Sequence, residues 1–192
     1  MKQLVEAIFA CALLSLSGCV SYSNHELASV EQWPPAASKT NEPSAFINVN
    51  TQYLLNDQAR AGGFNQTQLE ALILKQYQSS GRFSSVTTNK QAADLYITID
   101  ISNHERSNLF SAVLTGLTLF VIPTRATNEL TMETTFKDVD GKVLGRIKKQ
   151  ETITTWMQLL MVFALPFNES ADNILTQLTQ STLEAAAQQK LI

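Results

Sequence analysis

The chain has 192 residues, of which 44% are hydrophobic and 16% charged, and its formal net charge is −3. This composition argues against disorder over most of the length and fits a single domain with a buried core. The slight negative charge, with no cluster of Lys and Arg, argues against nucleic acid as a partner, because a phosphate backbone needs a positive surface.

The first 18 residues differ in character from the rest and predict a secretory signal peptide. Lys2 supplies a positive charge near the start, and the apolar and small residues AIFACALLSLSG follow. This run is shorter than the ~20 apolar residues that a membrane-spanning helix needs. We therefore expect residues 1–18 to be a cleaved signal and not a membrane span.

The four residues LSGC, from Leu16 to Cys19, resemble the lipobox of bacterial lipoproteins. In that family the signal peptide is cut just before the cysteine, here between Gly18 and Cys19, and the cysteine thiol carries diacylglycerol. The resemblance implies that Cys19 is a lipid anchor, and two or three acyl chains make such an attachment effectively permanent. In that family, an Asp directly after the cysteine signals retention in the inner membrane. This chain has Val20 at that position, which implies export to the outer membrane, while retention stays open. The alternative is an ordinary secretory signal cut nearby.

Residues 19–44 predict a flexible tether between the lipid and the folded domain. The segment is polar, contains Pro34, Pro35 and Pro43, and shows no sustained periodicity. A flexible chain of this length has an r.m.s. reach of about 25–30 Å. Trp33 either docks on the domain or the lipid surface, or is an incidental exposed aromatic, and the sequence leaves these alternatives open.

The remaining residues, 45–192, predict a single α+β domain. Residues 46–54 and 93–102 alternate apolar and polar side chains, which predicts strands of an antiparallel-type sheet with one covered face. Apolar residues at helical spacing predict one helix within residues 65–83 and a closing helix within residues 168–192. A short strand is expected between the first helix and residues 93–102. The simplest arrangement is a mainly antiparallel sheet of four to five strands, with two helices packed on one face.

A β-hairpin is predicted over residues 129–156. Asp140 and Gly141 lie at its centre and favour a tight turn. In the second arm Lys149 and Glu151 interrupt the apolar alternation. We therefore expect a bulge in this arm, or an edge position where charged side chains prevent further strand pairing.

Two predominantly apolar segments, residues 109–123 and 156–167, flank the hairpin. If its arms pair, both segments emerge near the same end of the sheet. They either form a shared apolar contact surface or are buried loops and short helices that close the core, and the sequence leaves both open. The residues expected to make the contact surface are Leu114, Leu117, Phe120, Leu160, Phe163 and Phe167.

With its lipobox and its order of elements, the chain resembles small outer-membrane assembly lipoproteins, such as the lipopolysaccharide-transport accessory lipoprotein, and curli-secretion-type lipoproteins. The resemblance implies an outer-membrane-anchored periplasmic accessory or interaction module in envelope assembly or transport, with an envelope protein partner or self-association. The alternative is a binding protein for an apolar or amphipathic small molecule. Only two histidines are present and no catalytic motif occurs. We therefore expect no enzyme activity, no cofactor and no metal.

Overall fold

The computed structural model describes residues 18–28, 30, 32–34 and 42–192. The predicted signal peptide, apart from Gly18, lies outside the described residues. The described chain forms an α+β fold with a mixed sheet of seven strands and four helices. Four of its six strand pairs are antiparallel. The predicted α+β class with a mainly antiparallel sheet is confirmed.

The strands and helices follow one another in an order close to the predicted one. The strands are β1 (Gly18–Ser23), β2 (Ser44–Leu55), β3 (Gln58–Arg60), β4 (Ser85–Thr87), β5 (Leu95–Ser107), β6 (Thr124–Lys137) and β7 (Val143–Gln158). The helices are α1 (Gln66–Ser79), α2 (Leu109–Leu117), a 3-10 helix (Leu159–Phe167) and α3 (Ala171–Gln188).

Among the described residues, seven strands replace the four to five, and four helices replace the two, that the sequence predicted. The sheet order is β1-β7-β6-β5-β2-β3, and β4 also pairs with β2. The three-residue β4 is the short strand that the sequence predicted after the first helix, whereas the extra strands β1 and β3 are only six and three residues long. Such segments are too short to show a period-2 pattern above the background of loop residues.

Strands β2 and β5 are parallel, which corrects the expectation of an antiparallel arrangement for these two segments. Helix α1 lies between them in sequence and provides the crossover that a parallel pair requires. Their one-sided alternation is nevertheless real, because the helices cover only one face of the sheet. The alternation of apolar and polar residues indicates that one face of each strand is covered. It does not indicate whether neighbouring strands are parallel or antiparallel.

The core lies between the inner face of the sheet and helices α1 and α3. It is a single apolar cluster whose members are almost fully removed from solvent. Its central side chains are Ile73, Tyr77, Ile97, Ile99, Ile101, Met132, Phe136, Leu178 and Leu183. On the opposite face polar groups pair with each other, as where the Asn50 side-chain amide donates to Asp100 Oδ1 at 2.8 Å.

The predicted hairpin is confirmed as β6 and β7, with residues 138–142 as its tip. The bulge expected in the second arm is present, but it lies at the start of β7 and not at Lys149 and Glu151. Phe136 is opposite Gly145 and Lys137 is opposite Val143, so Leu144 is the extra residue. The edge position is wrong, since β1 covers the outer side of β7. Glu151 is buried on the core face of the sheet, and its partners are described below.

Strand β1 includes Gly18, the last residue of the predicted signal peptide, and residues 19–23, which the sequence assigned to a flexible tether. It pairs with β7 over six residues, from Gly18 opposite Gln158 to Ser23 opposite Ile153. The helix side of the sheet also receives Leu27 and Trp33, which pack against the core cluster. Trp33 therefore docks on the domain, and the described part of the tether segment is largely folded onto it.

Candidate functional site

The two apolar segments that flank the hairpin meet at one end of the sheet. Thr124, the first residue of β6, is opposite Met157 near the end of β7. The backbone N–H of Leu159 donates to the carbonyl oxygen of Phe120 at 2.8 Å. We call this region the apolar end and define it as α2, residues 118–123 and the 3-10 helix.

Helix α2 has its polar side chains turned inward and most of its apolar side chains turned outward. Ser111 Oγ lies 2.9 Å from Thr124 Oγ1 in the sheet. Thr115 is 1% exposed and donates to the Ser111 carbonyl oxygen. Leu109, Phe110 and Leu117 are each 77% exposed. A helix on the surface of a water-soluble protein normally has the opposite orientation.

The 3-10 helix also exposes apolar side chains, and its sequence contains no polar or charged residue. None of its side chains is buried. Phe163 is 77% exposed, and the side chains of Leu160 and Phe167 are also largely in solvent. Together with α2 it forms a continuous apolar end, because the hydrogen bond between Leu159 and Phe120 joins the two segments.

The six predicted contact residues all lie at the apolar end, with different exposures. Leu117, Leu160, Phe163 and Phe167 are exposed, whereas Leu114 and Phe120 are half-buried. The sequence reading missed further exposed side chains, which are Leu109, Phe110, Val113, Leu119, Val121, Ile122 and Leu165. Helical spacing of residues 109, 113 and 117 was the signal that could have found part of this set.

Cys19 lies at the same end of the sheet as the apolar end. It is exposed, and it is opposite Met157 in the pairing of β1 with β7. Gly18 packs directly against the backbone of Val162 in the 3-10 helix, where a Cβ atom would have no room. The chain therefore enters the described fold beside the apolar end.

Strand β1 is fixed on both sides. On its outer side, the Ser21 N–H donates to Asn168 Oδ1 at 2.8 Å and the Glu169 N–H donates to the Ser21 carbonyl oxygen at 2.9 Å. The Ser23 N–H also donates to the Glu169 carboxylate. Because Asn168 and Glu169 directly follow the 3-10 helix, these hydrogen bonds hold β1 and the apolar end together as one unit.

The buried carboxylate of Glu151 holds the chain that follows β1. It is 1% exposed and accepts hydrogen bonds from the Ser23 hydroxyl at 2.7 Å, the Leu27 N–H at 2.9 Å and the Glu26 N–H at 3.2 Å. Burial by itself raises the pKa of Glu151, but these hydrogen bonds and the nearby His25 outweigh it and leave the pKa below its ordinary value. Glu151 therefore acts as a charged clasp for residues 23–27.

The clefts described on the surface are polar and lie apart from the six predicted contact residues. The cleft on the open face of the sheet, about 590 Å³, is lined by residues that include Phe46, Tyr96, Lys90 and Lys137. Another cleft, about 710 Å³, lies beside the start of α2 and includes Arg125. Within the described residues, no group of three or more His, Cys, Asp and Glu side chains is placed to hold a metal ion.

Neither the family models nor the curated proteins that were compared with this chain give a match. Among the helices of the described residues, none combines the length and the apolar character needed to span a bilayer. The functional argument therefore depends on the chain's own geometry, above all on the apolar end and its position beside Cys19.

Proposed function

We propose that this chain is a non-enzymatic lipoprotein, anchored to the outer membrane through acylated Cys19, with its domain in the periplasm. There it acts as an accessory or interaction module in envelope assembly or transport. The observation that supports this proposal best is the exposed apolar end beside Cys19. Exposed apolar patches of this kind mark protein or membrane interaction sites.

The fold around Cys19 is compatible with a lipid anchor. Its side chain is exposed, so acyl chains attached there would leave the domain without displacing core residues. Removal of residues 1–18 would take away Gly18 and leave the other five residues of β1 in place. The strand would then begin at the acylated residue, so the domain would stay close to the membrane surface.

The alternative, a binding protein for an apolar small molecule, has less support. The exposed side chains of the apolar end turn outward, and the described clefts are lined largely by other, mostly polar residues. A retained lipid in the mass spectrum of the purified native protein would favour this alternative.

The anchor is tested by intact-mass and peptide mass spectrometry of the protein extracted from bacterial membranes. We expect a chain that begins at Cys19 and carries diacylglycerol on its sulfur and an acyl group on its amine. The matched control is Cys19→Ser, which should keep residues 1–18 and lack the lipid. An unmodified Cys19 thiol in the membrane-extracted protein would refute the anchor.

The contact surface is tested by photo-crosslinking in intact cells. A photo-reactive side chain at position 163, in the apolar end, is compared with one at position 139, an exposed position in the hairpin tip. Crosslinks to an envelope protein or a phospholipid from position 163 alone would support the proposed contact surface. Absence of specific crosslinks from position 163 would argue against it.

A further inference from the structure

We propose that the apolar end inserts into the lipid surface of the same membrane that holds Cys19. This inference rests on the proposed function, because it takes the acylated cysteine as given, and it names lipid as the occupant of the apolar end. The domain would then be a fixed body on the membrane and would not swing on a long tether.

The lipid anchor on Cys19 would lie close to the apolar end. Cys19 is paired in β1, and Ser21 of the same strand is hydrogen-bonded to Asn168 and Glu169, which directly follow the 3-10 helix. Acyl chains on Cys19 would enter the bilayer beside the 3-10 helix, with no free linker between them. As long as β1 stays paired with β7, the apolar end is held at the level of the lipid headgroups.

A further argument is the orientation of α2. Its polar residues Ser111 and Thr115 face the protein, and most of its apolar residues face outward. An interfacial helix buries such an apolar face about 5–10 Å into the boundary between headgroups and acyl chains. Phe110 and Phe163 are suited to this depth, because each side chain is 77% exposed and has no group that needs a hydrogen-bond partner.

Next to the apolar end, the open face of the sheet carries side chains that are typical of a membrane interface. Arg125 and Trp156 are partners in the pairing of β6 with β7. The indole N–H of Trp156 donates to the Tyr22 hydroxyl at 3.4 Å. Trp and Tyr are enriched at membrane interfaces, and an Arg side chain can extend to lipid phosphates. An apolar tip followed by these three residues matches the order of layers in a lipid surface.

The occupant could instead be a protein partner or a second copy of the chain. A protein partner would have to reach the apolar end while the acyl chains of Cys19 keep that end at the bilayer. A second copy would have to bring its own acylated Cys19 to the same place. Lipid requires neither, and it is the occupant that the geometry favours.

The experiment uses the acylated full chain in phospholipid vesicles of phosphatidylethanolamine and phosphatidylglycerol. Phe163→Cys carries an environment-sensitive dye, and the matched control is Val139→Cys with the same dye. Val139 is 64% exposed and lies at the opposite end of β6, roughly 40 Å away by strand length. Acylated Cys19 does not react with the dye, so each protein has a single label.

With phospholipids spin-labelled on their acyl chains, we expect at least about twofold stronger quenching at position 163 than at position 139. Equally weak quenching at both positions, in a protein whose acylation is verified by mass spectrometry, would overturn the inference and leave the anchor intact. Energy transfer between dyes at position 163 without lipid quenching would identify a second copy as the occupant and overturn it as well. If mass spectrometry shows a free Cys19, the proposed function fails first.

Discussion

Helices α3 and α2 border the same sheet and bury opposite kinds of side chain. Helix α3 turns Ile174, Leu178 and Leu183 into the core. Helix α2 turns Thr115 inward and presents Leu117 to the outside. The apolar side chains of α3 are explained by the core that they fill. The exposed apolar side chains of α2 fill no part of this core, so their explanation lies outside the described fold, in what the apolar end contacts.

The largest expected effect comes from a matched pair of phenylalanines. Phe136 is fully buried and Phe163 is largely exposed. We expect Phe136→Ala to lower the free energy of unfolding by about 3–5 kcal/mol, because it leaves a cavity in the core. Phe163→Ala should change it by less than about 0.5 kcal/mol. Urea unfolding followed by circular dichroism measures both free energies. Equal losses in the two variants would mean that Phe163 is packed as firmly as Phe136, which contradicts an exposed apolar end.

An intermediate effect is expected at the clasp. Glu151→Ala leaves the Ser23 hydroxyl and the backbone N–H groups of Glu26 and Leu27 without their acceptor. We expect a loss of about 1–3 kcal/mol in the free energy of unfolding, together with faster amide exchange at Leu27. Ser23→Ala removes one donor and is the milder control. Unchanged exchange at Leu27 in Glu151→Ala would mean that the clasp does not hold the segment.

The clasp should also weaken in acid. The pKa of Glu151 lies below its ordinary value of 4.5, so its charge stabilises the fold above about pH 4.5. This stabilisation is lost as the pH falls through the lowered pKa of the folded state. We expect the difference in unfolding free energy between the native chain and Glu151→Gln to shrink between pH 6 and pH 3. A difference that stays constant over this range would refute a charged Glu151.

The smallest effect on stability is expected at Leu117. Its side chain is outside the core, so Leu117→Ser should shift the free energy of unfolding by less than about 0.5 kcal/mol. Thermal unfolding measures this shift, and Val139→Ser is the matched control at the other end of the sheet. A loss of several kcal/mol at Leu117 alone would show that α2 packs against the core.

The sequence predicted the parts of the fold whose pattern is local. Alternation predicted β2 and β5, helical spacing predicted α1 and α3, and turn residues predicted the hairpin. Strand β1 was missed because it is short and lies in a segment rich in Pro and polar residues. Its pairing depends on the distant strand β7 and on Glu151, and neither partner is visible in the local pattern.

The sequence predicted where the candidate site lies in the fold, but it did not predict whether its side chains are exposed. The position of the two apolar segments on either side of the hairpin located them at one end of the sheet. A run with no polar face carries no information on which side is covered, so burial and exposure remained equal alternatives. Inward-facing Ser111 and Thr115 decide the question for α2, and their contacts depend on the tertiary structure.

The most direct test of the account measures the unfolding midpoint of one multiple variant, in which Phe110, Leu117, Phe163 and Phe167 are all changed to Ser. The protein starts at Gly18, carries Cys19→Ser and is studied without lipid, so that bilayer binding does not contribute to stability. The account predicts a cooperative transition close to that of the unchanged protein and better solubility. Loss of the folded signal would place these side chains in the core and contradict the claim that the apolar end is an outward-facing surface.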